Sequence, residues 1–93
     1  MNEFEWDINK SQANLAKHGI SFDEAITVFF DDFARILADP DHSIGEERWL
    51  ILGYSVKNRL LAISFTDRKE KIRIINARKA TKNERKQYEE FNK

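Results

Sequence analysis

Arg73 falls mid-strand in a β-like run, and Arg78 and Lys79 follow at its end, next to where a helix should begin, an arrangement suited to phosphate chemistry. A guanidinium fork holds two phosphate oxygens and keeps its charge at any physiological pH. A helix N-terminus adds unpaired N–H groups that attract anions. With Arg68 in the preceding turn, four cations are expected to converge on the strand end and form a phosphate cradle; Lys69 and Arg85 belong to the same basic stretch. Metal-free cleavage of RNA needs such cations for the charge gathering on phosphorus. It also needs a base for the 2′-hydroxyl and an acid for the leaving oxygen. Glu84 and Tyr88, four apart on the final helix, are candidates for that proton traffic. Lys17 and His18 are others. They share one face of the first helix with Lys10 and Asn14, a polar strip expected to meet the nucleic acid.

Each of these residues has a plainer reading. Arg68 and Lys69 are also ordinary solvated turn charges. Arg73, with Ile72 and Ile74 on the opposite side of its strand, could serve only to pair with a cross-strand carboxylate. Glu84 stands three residues after Thr81, the spacing of a capping box. Tyr88 lies on one helical face with Glu84 and Phe91, as an amphipathic core residue would. Lys17 and His18 suit the negative end of a helix closed by Gly19. Trp6 and Trp49 read as core. The acidic cluster Asp31, Asp32, Asp39 and Asp41 has no recognised cation-loop spacing.

The whole-chain numbers narrow the class. The 93 residues are 41% hydrophobic and 34% charged, enough for one globular domain and too short for two. There is no cysteine, and the two histidines are His18 and His42, so no thiolate or histidine-rich metal site is expected and no cofactor is called for. No long apolar run or basic-then-apolar leader is present, so a cytoplasmic protein without membrane contact is the expectation. Formal net charge is zero, yet residues 1–46 carry −7 and residues 47–93 carry +7. Either the basic half meets a polyanion or the two halves neutralise each other in the fold.

The elements that must position these groups follow from periodicity. Glu3-Phe4-Glu5-Trp6 alternates like a short strand, and Asp7 caps a helix running to about His18. Ser21-Phe22-Asp23-Glu24 opens a second helix whose stripe is Phe22, Ala25, Ile26, Phe29, Phe30 and Phe33, with an end near Asp31-Asp32. Arg35–Asp39 is β-like and is broken by Pro40-Asp41-His42; Trp49–Ser55, Arg59–Thr66 and Lys71–Ala77 read as further strands. Hairpin-length connections imply an antiparallel meander, and Thr81 opens a helix to about Phe91. The expected architecture is α+β in the order β-α-α-β-β-β-β-α, with an antiparallel sheet and its helices on one face.

Two blocks carry a family resemblance. Phe4-Glu5-Trp6-Asp7, Lys10, Asn14 and Lys17-His18-Gly19-Ile20-Ser21-Phe22-Asp23-Glu24-Ala25 resemble the N-terminal signature of the BrnT family of toxins. Arg73-Ile74-Ile75-Asn76-Ala77-Arg78-Lys79-Ala80-Thr81, then Glu84-Arg85 and Tyr88, resemble its C-terminal signature. The resemblance spans nearly the whole chain. It implies a RelE-like ribonuclease fold and the toxin role in a type II toxin–antitoxin pair. A neighbouring BrnA-type DNA-binding antitoxin, and a dimer or 2:2 complex with it, are implied likewise. The chemical expectation is metal-independent RNA cleavage by 2′-hydroxyl attack; the rival is a non-catalytic nucleic-acid-binding or protein-interaction subunit.

Overall fold

A computed structural model describes residues 3–39 and 45–93. The expected break at Pro40-Asp41-His42, and Asp41 of the acidic cluster, lie outside them. The order is β1 (Glu3–Glu5), α1 (Ile8–His18), α2 (Phe22–Thr27), a 3-10 turn (Val28–Phe30), β2 (Arg35–Ala38), β3 (Trp49–Tyr54), β4 (Leu60–Arg68), β5 (Lys71–Lys79) and α3 (Lys82–Phe91). Asp7 caps α1 through Asn9 and Lys10 N–H groups, and Gly19 ends it at φ 69°, a left-handed conformation that costs glycine little.

The strands lie in the order β1-β5-β4-β3-β2. The β2–β5 meander is antiparallel, but β1 joins β5 in parallel, so the sheet is mixed rather than purely antiparallel. The chain leaves β1 through a helix and reaches β5 only after the meander, which allows the parallel pairing. Helices cover both faces, not one. Ile20, Phe22 and Ala25 pack with Ile51, Ile63, Ile74 and Ala77 on the first face. Tyr88 of α3 packs with Leu50, Leu52, Leu60 and Ala62 on the second. Among the described residues no helix is long and apolar enough to cross a membrane.

One irregularity matters for function. In an unbroken strand, side chains five apart point to opposite faces. In β5, Ser64 pairs with Asn76 but Phe65 pairs with Ile74, leaving Ile75 as an extra residue. Ile74 and Ala77 therefore both reach the first face. Arg73, Asn76 and Arg78, opposite Thr66, Ser64 and Ala62, all reach the second.

The second helix ends sooner than its apolar stripe suggests. Helical spacing gives way to a 3-10 turn at Val28, and the tighter period rotates the stripe. Val28 becomes buried and Phe29 is held edge-on by Phe4 and Phe65, whereas Phe30 and Phe33 face solvent. Phe22→Ala should therefore cost about 3–5 kcal/mol, a large part of the roughly 5–10 kcal/mol available to a domain this small. Phe30→Ala should stay within about 0.5 kcal/mol. Urea denaturation of the two variants checks this contrast, and equal losses would contradict it.

Candidate nucleic-acid and active site

Four elements meet at one end of the sheet: the end of α1, the β3–β4 turn, the end of β5 and the start of α3. An open depression of about 450 Å³ lies there, lined by Tyr54, Asn58, Arg59, Lys79, Ala80 and Arg85 among others. Arg85 donates to the Tyr54 hydroxyl at 3.2 Å. Arg59 donates to the Gly19 carbonyl at 3.1 Å, tying the turn to the end of α1; Lys17 and His18 precede Gly19 in sequence but do not line the depression. Asn14 fixes the same helix from inside. Its side chain accepts from Ala77 N–H at 3.0 Å and donates to the Ala77 and Ile20 carbonyls. Asn14 is thus a buried backbone partner for β5 rather than part of a nucleic-acid strip. Lys10, in the first turn of α1, is exposed and roughly 13 Å along the helix from Gly19.

Arg78 and Glu84 form a bidentate pair at 2.7 and 2.9 Å. Glu84 also accepts from Thr81 N–H, completing the capping box. The Arg78 guanidinium, aided by Thr81, holds the Glu84 carboxyl below its usual range, which suits an anchor better than a general base. Tyr88 is buried, and its hydroxyl donates to Asp31 at 2.7 Å. Burial and that bond push the phenol well above its ordinary value. Glu84 and Tyr88, expected to move protons, both hold α3 through these bonds. Asp31 likewise serves structure, accepting from Phe33 N–H and Tyr54 N–H as well.

The four expected cations do not converge. Arg68 pairs with Lys71 at the opposite end of β4 and β5, roughly 25 Å from Lys79, because the hairpin folds the turn away from the strand end. There Arg68 makes a bidentate pair with Glu46 at 2.8 and 2.9 Å and approaches Glu5 at 3.5 Å. Arg73 meets Glu5, its cross-strand neighbour, at 3.4 Å. Lys69 occupies the tight turn itself, exposed and at φ 66°. Glu5, Glu24 and Glu46 of the acidic half thus pair with Arg73, Arg59 and Arg68 of the basic half. The two halves do partly neutralise each other.

The sequence matches the model of the family described as "Ribonuclease toxin, BrnT, of type II toxin-antitoxin system" over residues 6–84. The chain belongs to the BrnT family. A similar solved structure is the 1.1 Å crystal structure of the Brucella abortus ribonuclease toxin BrnT, with a TM-score of 0.68 and 21% identity. The similarity covers 88% of this chain and all of that one, and at such identity it speaks for the fold. No curated protein matches.

Arg59 of this BrnT chain lines the depression and was not singled out by sequence reasoning. Its Nε donates at 2.9 Å to Glu24, which is buried and also accepts from the Ser55 hydroxyl at 2.7 Å. A signal existed: Glu24 sits between Phe22 and Ala25 in the apolar stripe, and a buried carboxylate needs a cation. Which cation depends on topology.

The Arg59 hydrogen bond outweighs burial and holds the Glu24 carboxyl below its usual value of 4.5. Burial raises the Asp31 carboxyl, but bonds from Tyr54, Tyr88 and Phe33 leave it below 3.8. Carboxylates lowered in the folded state add stability above their unfolded values and lose it as pH falls through the folded ones. The melting temperature of this BrnT protein should therefore hold from neutrality to about pH 5 and fall below about pH 4.5. Glu24→Gln should flatten part of that fall. At neutral pH it should cost about 1–3 kcal/mol, because the partial exposure of Arg59 weakens the pair. Thermal melts across pH test both statements.

Proposed function

We propose that this chain cleaves RNA without a metal, through attack of the 2′-hydroxyl on the adjacent phosphate, and thereby stops translation and growth until an antitoxin covers it. The supporting observation is the β5 bulge, which puts Arg73 and Arg78 on the same sheet face, beside α3 and leading to the cation-lined depression. An RNA backbone lying along β5 meets Arg73 first, then Arg78, Lys79 and Arg85. Arg78 and Arg59 offer guanidinium N–H groups to the charge that develops on the phosphate. Lys17 and His18, at the end of α1, are the proton carriers of this reading. Glu84 and Tyr88 are positioning residues. Arg68, Lys69 and Lys10 bind more distant RNA phosphates.

The partner in this reading is a BrnA-like DNA-binding antitoxin, in a 2:2 complex within the cytoplasm, and the fold is of the RelE-like kind. The test is induced expression of the chain alone. Growth arrest with loss of bulk translation, relieved by the protein encoded beside it, is the expected result. Unimpaired growth and intact RNA would favour a non-catalytic binding subunit.

A further inference from the structure

Among the described residues, Ile8 and Leu15 on α1 are exposed, and the other five exposed large apolar side chains gather around one sheet edge. Phe30, Phe33, Ile36, Val56 and Phe91 are each between 57% and 77% exposed. Ile36 lies on β2, and Arg35 of the same strand stacks over the Phe91 ring at 4.6 Å. Asn92 donates to the Phe33 carbonyl, drawing the end of α3 to this edge. Phe30 and Val56 line a hollow of about 430 Å³ with Tyr54 and Ser55. Among the described residues no strand pairs with the outer side of β2. Asp39 N–H bonds to the Arg48 carbonyl at 3.2 Å, so the antiparallel alternation turns the backbone groups of Ile36 and Ala38 outward. An unprotected edge flanked by aromatic rings is a template for a further strand.

We infer that the edge of β2 and this apolar collar dock a β-strand of the antitoxin, whose acidic continuation crosses Tyr54 into the cation-lined depression. This rests on the toxin reading above. Continuity supports it, because Tyr54 lines both the apolar hollow and the depression holding Lys79 and Arg85. Charge supports it too, since a segment entering the depression meets cations and is matched by carboxylates. A strand that continues into the depression covers the cations as well as the apolar collar and blocks the RNA at once.

The experiment uses the double variant Phe33→Ser, Ile36→Lys and, as probe, the antitoxin encoded beside this chain. Both side chains are exposed, so the variant should melt within a few degrees of wild type and cleave RNA equally well. Its affinity for the antitoxin should fall at least ~30-fold through faster dissociation, and the antitoxin should no longer relieve its toxicity. Added salt should slow association of both proteins alike. In the wild-type complex, hydrogen exchange at Ile36 and Ala38 amides should slow. Affinity within threefold of wild type, or unchanged exchange at those amides, would overturn the inference. So would a dimer of the free chain that the double variant abolishes, since the edge would then belong to a second copy. Failure of the wild-type chain to cleave RNA, with antitoxin binding still lost in the variant, would sink the toxin reading and leave the docking surface standing.

Discussion

Arg78→Met is expected to lower RNA cleavage about 10²–10³-fold, and adding Glu84→Gln to the same chain is not expected to restore it. The pair makes a discriminating test because Arg78 has two separable jobs. It holds the Glu84 carboxylate bidentately, and it stands beside α3 on the sheet face where the proposed reading lays a phosphate. Removing it alone leaves a largely covered carboxylate with only the capping-box donors, so the melting temperature should drop by a few degrees. Glutamine at position 84 removes that charge and keeps the capping box, which accepts either residue. The double variant should therefore melt near wild type and remain inactive. Recovery of both stability and cleavage would mean that Arg78 merely neutralises Glu84, and the phosphate role would be withdrawn. Cleavage of a short oligoribonucleotide and thermal melts of the three proteins supply the readouts.

The separation of these two jobs was only partly legible in the sequence. Caps and stops are local signals, so Asp7, Gly19 and Thr81 marked the helix ends found in the structure. The β strands followed from their apolar runs and short connections. What failed depended on longer range. Period-two alternation places Arg73 and Arg78 on opposite faces, and only the pairing of β5 with β4 reveals the bulge that unites them. The side on which α3 packs depends on Tyr88 reaching Leu50 and Leu52, a contact no local pattern encodes. Phe30 and Phe33 matched the helical stripe, yet the 3-10 turn at Val28 moved them into solvent. Arg59, placed by a turn and a buried glutamate, carried no motif. The resemblance to the BrnT family reached identity through its two blocks and is silent on such geometry.

Substituting deoxyribose at the attacking nucleotide is expected to abolish cleavage, the largest single effect this site allows. The candidate groups are guanidinium, ammonium, imidazole and carboxylate; the chain has no cysteine, and its two histidines are far apart in sequence. Such a set can stabilise charge and move protons, but it is poorly suited to holding a metal that would activate water. In the proposed reading the nucleophile comes from the substrate. When the 2′-oxygen attacks, its proton leaves to a base, two negative charges gather on the phosphate oxygens, and the 5′-oxygen departs with a proton from an acid. The products are a 2′,3′-cyclic phosphate and a 5′-hydroxyl. In that reading Arg78 and Arg59 meet the charge, and Lys17 and His18 the protons, so cleavage should persist in EDTA. Loss of His18 as a proton carrier should cost about 10²–10⁴-fold in rate, while leaving RNA affinity nearly unchanged. Mass spectrometry of the ends, with and without EDTA and with one 2′-deoxy position, decides the chemistry. Cleavage of the deoxy substrate at a comparable rate would overturn 2′-hydroxyl attack, and sensitivity to EDTA would return the search to a metal-activated water.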